Sequence, residues 1–315
     1  TAITTADYNT ALGYGALAVN TDQASNTAIG AFALNDSVNG SHATAVGINA
    51  LAVLNPASDV ATYNVAVGAQ AGAAVSTGTL NTLIGALSGD ALNVGASNVS
   101  LGYFSLTADT KGSKSVAVGT AALGDQNFTT ATDAFNVAVG QEAGRSVTSG
   151  IQNTIIGGLA GDALTGNGFD GSDNRVAGAD GNTAVGYLAL SGDTKGNNSV
   201  AIGGAALFSQ NFTTAADAYN TAVGHGAGLA IAAVGAHIPG RFNTLIGGLA
   251  GDNITTGDSN IIIGHGIDAA SATADGQLNI GGWITGLAGA ITIPGGVLLN
   301  GTTPTLTIGD AGAED

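Results

Sequence analysis

One nine-residue phrase is repeated along this chain of 315 residues. The copy at 182–190 is Asn-Thr-Ala-Val-Gly, two free positions, Ala and Leu. Its glycine occurs fourteen times; most successive copies are 17 residues apart, and the longer intervals add 4, 6 or 12 residues. A fixed period of this length is typical of a solenoid, in which each repeat forms one coil and extra residues form loops. The fourteen glycines are Gly13, Gly30, Gly47, Gly68, Gly85, Gly102, Gly119, Gly140, Gly157, Gly186, Gly203, Gly224, Gly247 and Gly264.

Each column of the aligned copies has a physical interpretation. Asn precedes the glycine by four positions in eleven copies, which predicts stacked amide ladders. Thr or Val, a small residue and Ile, Val or Leu follow, which predicts a short strand whose β-branched pair points one way and whose Ala points the other. The invariant glycine predicts a corner with positive φ or a close backbone approach. Representative members of these columns are Asn9, Asn26, Asn182 and Asn243, and Gly13, Gly30, Gly186 and Gly247.

Two further columns extend the pattern. The third residue after the glycine is Ala or Ser in thirteen copies, which predicts tight packing against another strand or another chain. The next residue alternates between pairs of Leu and pairs of Gly, so four coils make a superrepeat. Segments 107–165 and 191–255 are near duplicates. Duplication of coils is the simplest history of such a chain.

The repeat predicts an all-β fold, a parallel β-roll or β-helix solenoid of about 14 coils over residues 1–267. Insertions are expected at 55–63, 125–135, 165–181, 209–219 and 229–242. Coils stacked at the β spacing of ~4.8 Å would give a rod of roughly 65–70 Å. Residues 268–315 lose the Ala column and predict a C-terminal connector of short β strands. Thin coils with flat Ala columns favour intertwined or laterally packed chains, most simply a homotrimer; a monomeric β-helix with thicker coils is the alternative.

Composition excludes several classes of partner. The net charge is −16, from 22 acidic and 6 basic residues, which argues against nucleic acid. With 44% apolar and 9% charged residues the chain is too apolar to be disordered. No apolar run approaches the ~20 residues of a membrane span. Cys is absent, so disulfides and thiolate metal sites are excluded.

The unit Asn-Thr/Ser-Val/Ala-Ala-Ile/Val-Gly-x-x-Ala, over residues 9–267, resembles the head repeat of trimeric autotransporter adhesins of the YadA type, a left-handed parallel β-roll. The copies at 182–190 and 243–251 are more similar to repeats of bacteriophage tail fibre proteins, which commonly precede an intramolecular chaperone that is cut off after trimerisation. Segment 278–281 also resembles the region before that chaperone. The resemblance implies a homotrimer, an extracellular location and a role in attachment, and it brings no catalytic residues. The chain differs from the adhesins in its longer coil and in lacking a heptad stalk and a membrane anchor.

The inserted loops contain candidate receptor contacts, because loops on a rigid scaffold often carry recognition and exposed aromatic rings make strong contacts. The alternative is that the rings fold back onto the coil edge or staple neighbouring chains. The candidates are Phe128, Phe135, Phe212, Tyr219, His237 and Arg241.

Two pairs of residues are candidate metal ligands. His225 and His265 share a column and would converge if that column faced a threefold axis, although the column otherwise resembles a variable surface position. Asp170 and Asp173 lie in an insertion rich in oxygen ligands, which could bind Ca²⁺ or form an ordinary Asx-rich turn. No cofactor is predicted beyond this Ca²⁺ site. The carboxylates show no distinctive pairing and no Ser-His-Asp context appears, so an enzyme is not expected.

The sequence therefore predicts a structural and adhesive fibre protein, the shaft of a phage tail fibre that attaches to a host cell surface. Expected partners are two further copies of the chain, a glycan or protein receptor and other virion fibre proteins, with no nucleic acid and no membrane span. The expected location is extracellular, on a virion or a cell surface. A bacterial surface adhesin or a self-assembling extracellular filament is the first alternative, and a polysaccharide-degrading tail spike is the second.

Overall fold

The structure, a computed structural model, describes residues 8–19, 23–166, 178–232, 240–287 and 290–292. All regular secondary structure in these ranges is β strand, and none is helix. The strands in chain order are β1 (Thr10–Leu12), β2 (Thr27–Ile29), β3 (Gly40–Ser41), β4 (Thr44–Val46), β5 (Val60–Ala61), β6 (Val65–Val67), β7 (Thr82–Ile84), β8 (Val99–Leu101), β9 (Gly112–Ser113), β10 (Val116–Val118), β11 (Thr132–Asp133), β12 (Val137–Val139), β13 (Thr154–Ile156), β14 (Thr183–Val185), β15 (Gly196–Asn197), β16 (Val200–Ile202), β17 (Ala216–Asp217), β18 (Thr221–Val223), β19 (Thr244–Ile246), β20 (Ile261–Ile263), β21 (Gln277–Ile280), β22 (Ile284–Leu287) and β23 (Ala290–Thr292).

The strand of each nine-residue repeat, here called a phrase strand, joins one parallel stack in chain order, and β21 extends this stack. Thr10 pairs with Thr27 and Thr27 with Thr44, so the register between coils follows the sequence repeat. At ~4.8 Å per rung, the step from β1 to β21 spans about 67 Å. The predicted all-β solenoid of 17-residue coils is therefore confirmed. The stacked strands are β1, β2, β4, β6, β7, β8, β10, β12, β13, β14, β16, β18, β19, β20 and β21.

The stack continues past residue 267, where the sequence predicted its end. Strand β21 pairs in parallel with β20, and the backbone N–H of Gln277 donates to Asn260 Oδ1 at 2.8 Å, as in the preceding coils. Strand β22 then pairs antiparallel with β21, and β23 pairs antiparallel with β22, so the parallel stack ends at Ile280.

The three 21-residue coils use their extra residues to add strands. Each insertion contains a two-residue strand that pairs in parallel with one from the preceding coil, as β5 with β3, β11 with β9 and β17 with β15. The inserted segments are thus part of the stacked scaffold rather than free loops.

The centre of each phrase strand points into the coil and its flanks point out. Ala28 is fully buried, whereas Thr27 is half-buried and Ile29 is 36% exposed. The small column after the glycine, such as Ala33, is also buried within the chain. The Ala columns therefore fill the interior of one chain and are not the flat faces on which lateral packing was predicted.

The corner glycine meets both of its predicted requirements. Gly30 has a φ of +130°, and a Cβ there would lie 2.5 Å from the carbonyl oxygen of Gly47 in the next coil. Any other residue would combine an unfavourable backbone with a clash.

The Asn column is a buried ladder between coils. Asn26 Oδ1 accepts from the backbone N–H of Ala43 at 2.9 Å, and its Nδ2 donates across the coil to the carbonyl of Gly40 at 3.0 Å. The side chain thereby satisfies backbone groups that the coil would otherwise bury unpaired.

The Leu and Gly pairs of the superrepeat balance side-chain volume. Leu83 replaces the usual Ala at a strand centre, and a Cβ on Gly72 or Gly89 would lie 2.7 Å or 2.9 Å from its methyl groups. Paired glycines therefore make room for a bulky strand centre, and the pairs Gly144 and Gly161 and Gly228 and Gly251 do the same for Ile155 and Leu245.

Candidate recognition surfaces

The outward side of the phrase strands is a long face without charge, here called the strand face. It consists of the first and third residues of the fourteen strands from β1 to β20 that carry the phrase, and all are Thr, Val, Ile or Leu. Along it Ile84, Ile156 and Ile246 remain 38%, 39% and 40% exposed. Rows of exposed aliphatic side chains without charge often mark protein–protein interfaces, so the strand face, which alternates such residues with threonines, is a candidate interface.

A second feature, here called the aromatic corner, comprises Tyr63, Phe135 and Tyr219. Each ends the insertion of a 21-residue coil and immediately precedes the ladder Asn. Their exposed fractions are 55%, 49% and 51%, and all three have a left-handed backbone with φ near +50°. Because they recur every four coils, successive rings are about 19 Å apart along the rod.

Each ring of the aromatic corner contacts one side chain of a neighbouring coil. His42 packs on Tyr63 with ring centroids 5.2 Å apart, and Lys114 Nζ lies 5.0 Å from the Phe135 centroid. Tyr219 stacks on Phe242 at 6.0 Å. These contacts hold the rings in place while about half of each side chain stays accessible.

The structure corrects two of the predicted receptor contacts. Phe128 and Phe212 are 0% and 1% exposed and so cannot contact a receptor in the folded chain. A Cβ on Gly112 would lie 2.9 Å from the Phe128 ring, which shows how closely this ring fills the corner of its coil. The prediction that these rings fold back onto the coil edge describes Phe128 and Phe212, whereas Phe135 and Tyr219 are exposed.

A buried carboxylate lies beside each of these two rings. Asp109 accepts hydrogen bonds from Gln126 Nε2 at 2.7 Å and from the backbone N–H groups of Gly112, Phe128 and Lys111 at 2.9, 3.3 and 3.3 Å. Burial raises the pKa of Asp109, and these hydrogen bonds oppose the rise. The same arrangement recurs at Asp193 with Gln210, and burial raises the pKa of Asp193 as well.

The remaining candidates are dispersed. Arg241 lies over the Phe242 ring at 5.0 Å and within 4.0 Å of Asp258, next to the aromatic corner. His237 lies outside the described residues, as do Asp170 and Asp173. His225 and His265 are both exposed and are separated by the coil of Gly248.

Within the described ranges, no group of three or more His, Asp or Glu side chains is arranged to hold a metal ion. Nor does any helix long and apolar enough to cross a membrane occur there. Comparison with protein-family models, curated proteins and solved structures found no match.

Tyr63 is not among the receptor contacts that the sequence predicted. The signal is present, because Tyr63 occupies the column directly before the ladder Asn, as Phe135 and Tyr219 do. It was hidden because the first 21-residue coil lacks the Gln-Asn-Phe-Thr-Thr motif that marks the other two.

Proposed function

We propose that this chain is a structural and adhesive fibre protein that assembles as a homotrimer and forms the shaft of a phage tail fibre. The strand face carries this proposal. It is uncharged over fourteen successive coils, in a protein whose net charge is −16. Covering such a face removes a large apolar area from water, and each Å² removed contributes about 25 cal/mol before the costs of association.

Other copies of the chain are the best occupants of the strand face. An identical copy has the same rung spacing, so its rows of β-branched side chains can match along the whole rod. A threefold arrangement closes on itself and leaves no copy with an uncovered face. The corner columns on either side of each strand would then border the seams between copies.

The aromatic corner supports the adhesive part of the proposal. Its rings are exposed, are held by contacts from adjacent coils and recur at a regular interval, which suits repeated weak contacts with a cell surface. The proposed receptor is a surface glycan or protein, and the proposed location is extracellular, on a virion, with other fibre proteins at the ends of the rod. Binding without bond cleavage is the proposed mode of action.

The assembly is tested by light scattering on the intact chain and on two matched variants. Val139 lies on the strand face, and Gln141 lies two residues further on, past the corner glycine. We expect a mass close to three times 30.1 kDa for the wild type and for Gln141→Asp. We expect Val139→Asp to dissociate, because a charge buried in an apolar interface is costly. A wild-type mass near 30.1 kDa, or a Val139→Asp variant that stays trimeric, would contradict the proposed interface.

The adhesive role is tested by binding to intact host cells. The triple variant Tyr63→Ala, Phe135→Ala and Tyr219→Ala should keep the wild-type mass and bind host cells more weakly than the wild type does. Equal binding by both proteins would remove the aromatic corner from the proposal. Release of reducing ends from capsule or lipopolysaccharide would contradict the non-enzymatic mode of action.

A further inference from the structure

A surface pocket of about 400 Å³ opens across the coils that contain Gly102, Gly119 and Gly140. It lies on the turn side of these coils, after the corner glycine and away from the strand face. Here it is called the corner pocket, and the side chains that line it include those of Tyr103, Phe104, Thr120, Asp125, Glu142 and Arg145. The volume is within the range of small-molecule sites, which is roughly 300–1,000 Å³.

The corner pocket combines an aromatic wall with a charged rim. The rings of Tyr103 and Phe104 are in edge-to-face contact with centroids 4.1 Å apart, and Tyr103 is 50% exposed. Arg145 Nη1 lies 3.4 Å from Glu142 Oε2, which orients the guanidinium along the rim. Asp125 supplies a second, exposed carboxylate.

Hydrogen bonds between coils fix the backbone of the pocket. The N–H of Ala121 donates to the carbonyl of Tyr103, and the N–H of Glu142 donates to that of Thr120, both at 2.9 Å. The N–H of Asp125 donates to the carbonyl of Arg145 at 2.9 Å. A pocket held in this way loses little conformational entropy when a ligand binds.

The chain contains its own comparison for these residues, because the coils that contain Gly186, Gly203 and Gly224 repeat the pocket coils 84 residues later. The interior residues are the same in both copies: Asp109 and Asp193, Gln126 and Gln210, Phe128 and Phe212. Most of the pocket residues differ: Phe104 and Leu188, Asp125 and Ser209, Glu142 and Gly226, Arg145 and Leu229, whereas Tyr103 and Tyr187 are identical. The second copy stacks with the same strand register without these groups, so the fold does not require them.

We infer that the corner pocket binds one unit of a neutral saccharide. A sugar ring offers an apolar C–H face to the Tyr103 and Phe104 rings, and its hydroxyl groups can donate to Asp125 and Glu142 and accept from Arg145. Hydrogen bonds to charged groups are among the stronger ones. Two carboxylates against one guanidinium disfavour an acidic sugar, and the charged rim disfavours a lipid chain.

This inference rests on the attachment function proposed above, since it names a ligand class for it. The two fail separately, because mass and cell binding test the fibre, whereas a soluble sugar tests the pocket alone. The decisive variant is Glu142→Gly with Arg145→Leu, which introduces the residues of the second copy. Glu142 has a φ of +55°, where glycine is favourable, so this variant should fold.

The experiment measures saturation-transfer NMR on the intact chain with a panel of neutral oligosaccharides and with matched oligosaccharides that contain a uronic acid. We expect saturable binding of at least one neutral oligosaccharide, with signals from the sugar C–H protons. The double variant and Tyr103→Ala should each weaken it about tenfold or more. Tyr187→Ala, at the equivalent position of the second copy, is the control and should bind as the wild type does.

Three results would overturn the inference. The first is no binding of any neutral oligosaccharide at millimolar concentration, and the second is preference for the acidic oligosaccharides. The third is unchanged binding by the double variant and by Tyr103→Ala. Thermal unfolding of each variant confirms that a loss of binding is not a loss of fold.

Discussion

The first two 21-residue coils bury different side chains at the same place, beside their insertions. In the first, the buried positions are Ser37, Leu54 and Pro56, and Ser37 Oγ donates to the carbonyl of Gly40 at 3.3 Å. In the second, the equivalent positions are Asp109, Gln126 and Phe128, joined by the buried hydrogen bonds described above. Both insertions nevertheless form the same parallel pair of two-residue strands. One backbone therefore accepts either a mostly apolar filling or a polar network around a ring.

The two insertions expose the same kind of side chain. Both insertions end in an aromatic residue directly before the ladder Asn, Tyr63 in one and Phe135 in the other. The buried filling thus varies while the outward ring is kept, although the outward ring adds little to the packing of its own coil. This contrast separates packing residues from residues available for contact, and it supports the role proposed for the aromatic corner.

The largest expected effect separates two rings within one insertion. Phe128→Ala should lower the free energy of unfolding by about 3–5 kcal/mol, because it leaves a cavity in the corner of the coil. Phe135→Ala should change it by less than about 0.5 kcal/mol, because the ring is half exposed. Denaturant titration of both variants measures the difference. Equal losses would show that the exposed ring also supports the fold, and the contrast between the two rings would then fail.

The second prediction treats the buried residues Asp109, Gln126 and Phe128 as a set. Asp109→Ser alone should cost about 1–3 kcal/mol, because Gln126 Nε2 and backbone N–H groups lose their acceptor. The triple change Asp109→Ser, Gln126→Leu and Phe128→Pro introduces the filling of the first corner and should cost less than the sum of the three single changes. A full cycle of single, double and triple variants measures this coupling. Additive losses would mean that the two fillings cannot be exchanged as units.

The stack itself is predictable from sequence because its period, strand pattern and invariant glycine are visible in every coil. The direction of the strand centres also follows from alternation, as at Ala28 between Thr27 and Ile29. The role of the small column could not be decided in the same way. A small side chain such as Ala33 suits either the interior of a thin coil or contact with another chain, and only the path of the coil distinguishes them.

Two further features escape local sequence rules. Glu142 and Phe104 adopt left-handed backbones that non-glycine residues disfavour, and hydrogen bonds from adjacent coils, such as Glu142 N–H to the Thr120 carbonyl, offset the cost. Phe128 and Phe135 lie seven residues apart in one insertion, and neither composition nor spacing tells which is buried. The first 21-residue coil carries a signal that separates the two rings, because Pro56 aligns with Phe128 and Tyr63 aligns with Phe135.

The smallest expected effect is on the pH dependence of stability, and it again contrasts the buried residues of the two kinds of 21-residue coil. Burial raises the pKa of Asp109 and Asp193 above the ordinary value of 3.8, so the folded chain binds these protons more tightly than the unfolded chain does. Stability contributed by these groups is therefore fully present below pH ~4 and is lost as pH rises through the raised values. Ser37 does not titrate, so the first corner contributes nothing to this dependence.

The double variant Asp109→Asn with Asp193→Asn tests this sign. Its amide oxygens can still accept from the backbone N–H groups, but its side chains cannot ionise. We expect thermal unfolding scans from acidic to neutral pH to show a smaller fall in the melting temperature for this variant than for the wild type. An identical pH profile would mean that the four donors around Asp109 outweigh its burial. The site of Asp109 would then accommodate a charge as readily as the equivalent site of the first 21-residue coil accommodates its mostly apolar residues.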